Sequence, residues 1–290
     1  MRRGIPICLA ILAICATAGA SAGPLGADFE RGKTFSAYTT CKPGAKQPDP
    51  HCIVGARTTS TFIAHRQDRV EYTLCVRKPG GKRKCHHRRT GRAGTVSKIQ
   101  FSAGKVGSYE LTWKDGPRKF DHDRLLIQPR KVFVNGDSLA EGTRPYIPRA
   151  LGNWSVSQSV SISRHAPQGV AILRRMGNLP PVIVMSLGTN DDPGATSTFR
   201  SAVRQTMKLV GREGCVVWPN IVRPPVGGNS YAGYNGILAE ESKRRRNLRV
   251  VEWTRMVAKH PGWLAGDRVH VNAAGYQARA AAIAKQAKRC

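Results

Sequence analysis

Short runs of β-forming residues follow one another from Asp28 to about Gln128, with no helical period between them. Thr59–Ile63, Val70–Val76, Val96–Phe101 and Tyr109–Trp113 each alternate or cluster apolar and β-branched positions. Pro79-Gly80-Gly81 separates Val70–Val76 from Cys85, which predicts a hairpin. Regularly spaced short strands of this kind predict a small β-sandwich over 28–128.

After Pro129 the pattern changes. Val132–Val134 and Cys215–Trp218 are continuous apolar runs rather than alternating ones, Pro181–Leu187 is broken by Ser186 alone, and Leu248–Val251 is a fourth short run with Arg249 inside it. Between and after them, apolar residues recur at helical spacing over Gln168–Met176, Ala195–Val210, Asn235–Arg246 and Asn272–Lys288. Fully apolar strands alternating with helices predict an α/β domain over 130–290, its parallel sheet covered on both faces. Ligands of such sheets sit at the carboxyl ends of the strands, so the polar residues just after each strand are the ones to weigh.

The N-terminus carries a third pattern. Arg2 and Arg3 precede an apolar run from Ile5 to Ala18, and Ala20-Ser21-Ala22 supplies a small-x-small cleavage site. Residues 1–22 are therefore expected to be a signal peptide, and the mature protein to be secreted, extracellular or wall-associated, with no transmembrane segment after cleavage. The chain has 290 residues and a formal charge of +29. Losing the signal removes two arginines and no acid, which leaves +27.

Export changes how the cysteines read. Cys41, Cys52, Cys75, Cys85, Cys215 and Cys290 remain, an even number in an oxidising compartment. Six cysteines allow 15 connectivities. Spacing makes Cys41–Cys52, Cys75–Cys85 and Cys215–Cys290 the economical set, since each pair stays within one half of the chain.

Three strand ends carry chemistry. Asn135-Gly136-Asp137-Ser138-Leu139 follows the first apolar strand, Gly188-Thr189-Asn190-Asp191 the second, and Asp267-Arg268-Val269-His270 precedes the last helix. Together they hold the parts of an acyl-transfer site. Ser138 is a nucleophile that needs a base, His270 a base, and Asp267 a carboxylate to orient the imidazole. Asn190 is an amide donor for a developing oxyanion. Taken singly, each has a plainer reading: Ser138 and Asn190 as turn or cap residues, Asp267 as a turn cap, His270 as a strand-end histidine. Asp137 and Asp191 read as structural, bonding the loops that present their neighbours. His165 reads as a surface loop residue.

These three blocks resemble the first, third and fifth blocks of the SGNH (GDSL-type) hydrolases, in the same chain order. The stretch from Trp253 to Tyr276, with His270-Val-Asn-Ala-Ala-Gly275-Tyr276 at its end, is similar to the family's C-terminal block. The resemblance covers residues 130–290 and none of the first half. It implies a three-layer α/β/α, flavodoxin-like domain and a serine esterase with Ser138, His270 and Asp267 as catalytic residues. The oxyanion hole it implies is formed by Asn190 and the backbone N–H groups of Ser138 and Ser163. It implies no metal and no organic cofactor. One block departs from the family: Ser163 stands where the second block has a glycine. In the first half, Gly107–Trp113 is loosely similar to a strand of immunoglobulin-like modules, which leaves the topology open.

The remaining signals are charge and absence. Arg77 to Arg92 places eight cations in 16 residues, and Lys243-Arg244-Arg245-Arg246 forms a second run. The plain reading is a solvated face; the net charge points further, to anionic cell-surface polymers as partners rather than specific nucleic acid. Cys85-His86-His87 sits among cations that would repel a metal ion. Phosphate-binding glycine loops and the Gly-x-Ser-x-Gly elbow are absent. The expectation is a hydrolase of small acyl (acetyl-type) esters, on a small molecule or on carbohydrate. Its alternatives are an acyltransferase of the same chemistry, or an inactive polyanion- or wall-binding protein. The loop Pro224–Tyr231 is expected to border the site.

Overall fold

The computed structural model describes residues 35–41 and 51–290; the segment expected to be a signal peptide lies outside them. The chain divides into two compact units. One reaches to Leu126; the other runs from Ile127 to Cys290 and also takes in Ile53–Gly55 and Ala103–Gly107.

The first unit is built from β1 (Phe35–Thr40), β2 (His51–Ile53), β3 (Arg57–Ala64), β4 (Glu71–Arg77), β5 (Arg83–Arg89), β6 (Val96–Ser102), β7 (Gly107–Asp115) and β8 (Arg118–Gln128). They form two sheets, in the orders β1-β3-β6 and β2-β8-β7-β4-β5. Buried side chains join the sheets: Phe62 of β3 stacks on Tyr72 of β4 at 4.1 Å, and Trp113 of β7 donates to Ser60 Oγ of β3 at 3.1 Å. The hairpin expected around Pro79-Gly80-Gly81 is the β4–β5 pair, antiparallel with Cys75 opposite Cys85.

The second unit holds β9 (Arg130–Gly136), α1 (Ser138–Thr143), α2 (Ile147–Leu151), β10 (Trp154–Val160), α3 (Ala166–Arg175), β11 (Val182–Ser186) and α4 (Thr196–Val210). It continues with β12 (Cys215–Pro219), α5 (Ala232–Arg244), β13 (Leu248–Val251), α6 (Trp253–Lys259) and α7 (Ala273–Ala287). The sheet is parallel throughout, in the order β10-β9-β11-β12-β13.

Its continuous apolar strands are apolar because both faces are covered. Phe133, Ile183, Met185, Val216 and Trp218 face a core made with α3, α4 and α5. Val132, Val134, Val182, Val184 and Val217 face the opposite core, made with α1, α2 and α7. This is the three-layer α/β/α arrangement. The strand order reverses at β9, which places a crevice at the carboxyl ends of β9 and β11.

Two strands differ from the sequence expectation. β10 is an edge strand in which Ser and Gln alternate with apolar residues, and none of its residues is fully buried. β8 opens with a run rich in charge, Arg118-Lys-Phe-Asp-His-Asp-Arg124. Neither has the apolar density that marks a strand covered on both faces. The disulfides are Cys41–Cys52, Cys75–Cys85 and Cys215–Cys290, the set that spacing favoured. Cys85 is thereby removed as a metal ligand.

Candidate active site

Strand β9 ends in a turn that only a small residue permits. A Cβ on Gly136 would lie 2.2 Å from Ala140 Cβ, because the chain doubles back at once into α1. Asp137 caps that helix, its Oδ1 accepting from Leu139 N–H at 3.0 Å, while its own N–H donates to Ser186 O of β11. Ser138 is therefore the first residue of α1. Its N–H has no intrahelical acceptor, and its side chain is half-buried at the strand end.

The block after β11 makes a second turn. Gly188 has φ +114° and closely neighbours Ile221 and Phe199, so a side chain there would be both strained and crowded. It delivers Asn190 to the same end of the sheet. Asn190 Nδ2 reaches Arg164 O at 3.5 Å, and Arg223 Nη1 donates to Asn190 Oδ1 at 3.4 Å. Tyr231 Oη donates to Thr189 O and Asp191 O, both at 3.0 Å. The loop expected to border the site thus holds the Asn190 turn from behind.

His270 arrives on the segment before α7. Its Nε2 lies 2.8 Å from Ser138 Oγ, and its Nδ1 lies 2.5 Å from Asp267 Oδ2. The other oxygen, Asp267 Oδ1, accepts from the N–H groups of Val269 and His270 at 3.0 Å each. The hydrogen bond from His270, then those two backbone donors, hold the Asp267 carboxyl down at about 2. A carboxylate accepts only, so Nδ1 carries the imidazole proton and Nε2 is left free to accept from Ser138. Ser138, His270 and Asp267 therefore meet in one hydrogen-bonded line, and Asn190 lies in the turn after β11, the strand beside β9.

Ser163 has φ +60°, in the left-handed region that glycine favours. The serine thus adopts the backbone conformation for which the family's glycine is suited, and its N–H makes no hydrogen bond among the described residues. Arg268, inside the Asp267–His270 turn, has φ +58°. Arg69, Ser163 and Arg268 are the non-glycine residues with positive φ among the described residues, and two of the three flank this site.

The two aspartates read as structural are buried and serve as caps. Both oxygens of Asp191 accept from Ala166 N–H at the start of α3, at 3.0 and 3.1 Å. His165, expected on a surface loop, is the N-cap of α3, its Nδ1 3.8 Å from Asp191. Burial pushes the Asp191 carboxyl up, against the pull of Ala166 N–H and His165. Burial likewise raises Asp137, opposed first by the Arg279 guanidinium.

Arg279 was not singled out by sequence reasoning. It is buried in α7, donates to Ser186 Oγ at 3.0 Å and lies 5.0 Å over the Trp253 ring; burial lowers its pKa to about 10, with Asp137 countering. The signal was present, since Gly275, Arg279, Ile283 and Ala287 form one buried stripe at spacing four. Arg223 was missed too, although it follows the end of β12 by four residues.

The parallel three-layer domain brings a Ser-His-Asp line and an Asn turn to the carboxyl ends of its strands, the arrangement that the sequence resemblance implies for residues 130–290. This chain is similar to SGNH (GDSL-type) proteins of known structure. One is the C-terminal catalytic domain of peptidoglycan O-acetyltransferase A from Streptococcus pneumoniae, 17% identical over 56% of this chain and 92% of that one, TM-score 0.45. Another is a member of the lipolytic protein G-D-S-L family from Veillonella parvula, 15% identical over 55% and 96%, TM-score 0.44. A carbohydrate acetylesterase from Xanthomonas citri is 10% identical over 83% and 73%, TM-score 0.39. No family model and no curated protein matches the chain.

Proposed function

We propose that this protein is a secreted serine esterase that removes small, acetyl-type acyl groups from hydroxyls of cell-surface carbohydrate. The observation that carries the reading is the line Ser138 Oγ–His270 Nε2–Asp267, at 2.8 and 2.5 Å. In this mechanism His270 Nε2 takes the Ser138 proton as Oγ bonds to the ester carbonyl carbon. The carbonyl oxygen becomes an oxyanion, held by Asn190 Nδ2 and the N–H groups of Ser138 and Ser163. Collapse breaks the C–O bond, and His270 returns its proton to the leaving alcohol. A water then gives its proton to His270 while attacking the acyl-serine, which frees the acid and restores Ser138.

Two features support an active protein over an inactive one. The His270 side chain is 40% exposed, so water reaches the acyl-serine. The serine at position 163, where the family's second block has a glycine, holds the left-handed backbone that glycine favours, which supports a complete oxyanion hole.

The test is hydrolysis of a chromogenic acetate ester by the secreted form, beside Ser138→Ala and His270→Ala. Each substitution is expected to lower kcat by about 10⁴-fold or more. Equal rates in all three proteins would overturn the assignment.

A further inference from the structure

The candidate site leaves the most charged element of the molecule unused. Strand β5 is the free edge of its sheet, and six of its seven residues are exposed: Arg83, Lys84, Cys85, His87, Arg88 and Arg89. The preceding turn adds Lys78 and Lys82. Among the described residues this hairpin has one ion pair, Arg77 to Glu110 at 3.4 Å; Lys78, Lys82, Arg83, Lys84, Arg88, Arg89 and Arg92 have none. An edge strand is protected from pairing by a charge or two. Seven cations without an ion pair exceed that need; Glu71, opposite Arg89 in the ladder, offsets part of their mutual repulsion, and the rest is a standing cost unless an anion neutralises it. His86 registers their field, since burial and then the charges of Lys84 and Arg88 lower its pKa.

Shape accompanies the charge. One hollow, of about 450 Å³, lies at the Arg88–Arg89 end against Glu71, Tyr72, Thr73 and Gly116. A second, of about 550 Å³, lies in the turn beside Arg77, Lys78 and Lys82, with Glu110, the ion-pair partner of Arg77, on its wall. The strand runs between them, with Arg83 and Arg89 on one face and Lys84 and Arg88 on the other, so the cations flank its open edge from both sides. The Cys75–Cys85 bond, directly across the β4–β5 ladder, ties the β5 backbone to β4, so the strand itself needs no ordering on binding.

We infer that β5 and its turn form a binding site for a linear acidic glycan carrying one carboxylate per repeat, laid along the strand from one hollow to the other. The aromatic platforms on which single-stranded nucleic acids stack are missing: Tyr72 is buried, and the exposed large apolar residues among those described are all aliphatic. The site belongs to the first unit and does not depend on the ester chemistry.

The test uses the full secreted chain and polygalacturonate as probe, with affinity measured across a salt series. Three proteins are compared. One is the parent. In the second, Lys82, Arg83, Lys84 and Arg88 are each changed to Gln; in the third, Lys208, Arg212, Lys243 and Arg246 are changed likewise, which removes the same charge elsewhere. The β5 variant is expected to lose about tenfold or more in affinity and to show a flatter salt dependence, and the control to lose no more than about threefold. Equal losses would overturn the proposal, leaving only a general field. An oligodeoxynucleotide of equal charge that binds more tightly than the glycan, and loses that advantage in the β5 variant, would overturn the glycan as partner. Should the variant fail to fold, amine acetylation of the parent gives the answer: bound glycan must shield Lys82 and Lys84 more than Lys208 and Lys243. Uniform shielding would sink the site.

Discussion

Arg223 Nη1 donates to the side-chain oxygen of Asn190 at 3.4 Å. A guanidinium has donors only, so the amide oxygen must be the atom that faces it and the NH2 group must point away. The same Nη1 donates to Thr189 O, which anchors the guanidinium to the turn it orients. Arg223 is in this sense a positioning residue for the proposed oxyanion donor. Asn190→Ala should lower kcat by about 10²–10³-fold. Arg223→Leu should lower kcat by about tenfold, with KM moved less than about twofold, and Arg223→Lys should restore part of the loss. The double variant should be no slower than Asn190→Ala alone, because both act through one amide. An additive double variant would show that Arg223 acts elsewhere.

Asp267 should titrate far below an ordinary aspartate. Its folded pKa is depressed to about 2 from 3.8, so the folded state favours the ionised form. The hydrogen bond to His270 is then fully in place above about 4 and is lost as the pH falls through about 2. Carboxyl carbon shifts followed by NMR should give this midpoint, and His270→Ala should move it upward. A midpoint unaffected by that change would mean the two side chains do not interact in solution.

Ser163 tests whether its backbone angle is strained. Left-handed geometry costs a residue with a side chain about 1–2 kcal/mol. Part of that is offset by the greater freedom of glycine in the unfolded chain, so Ser163→Gly should gain about 0.5–1 kcal/mol in denaturant unfolding. Activity should remain within about twofold, while the β-branched Ser163→Val should be destabilised and slowed. Loss of stability in the glycine variant would contradict the assigned conformation.

The Cys215–Cys290 bond closes a loop with a sequence separation of 75. Chain entropy predicts that replacing both cysteines by Ala costs about 4 kcal/mol, seen as a lower Tm of the oxidised protein. A Tm shift of less than about 2 °C would mean that the packing of α7 already holds this end.

How much of this was legible follows from what each residue is surrounded by. The strands β9, β11 and β12 could be read because both faces are covered, which demands apolar runs; β13, the opposite edge, still showed through Leu248, Val250 and Val251 around Arg249. β10 could not, since an edge strand needs only one protected face and tolerates Ser at alternate positions. Ser138, Asn190, Asp267 and His270 stood out because each is placed by its own local turn, with its glycine or capping partner within a few residues. Arg223 and Arg279 did not, because their roles rest on partners 33 and 93 residues away. Arg164 is similar: its guanidinium meets Asn135 Oδ1 at 3.0 Å, across 29 residues. Lone arginines in a chain this basic carry no local mark of such a partner.

The Asp267 and His270 side chains are 50% and 40% exposed, at the rim of the sheet rather than down a tunnel. Under the proposed function, an ester therefore need not leave its carrier to be cut. A hydroxyl decorated in the middle of a long, insoluble chain can be presented to Ser138 sideways, without a free end to thread. Turnover on such material would depend on how the polymer lies on the surface, and trimming it to short fragments should bring little gain in rate.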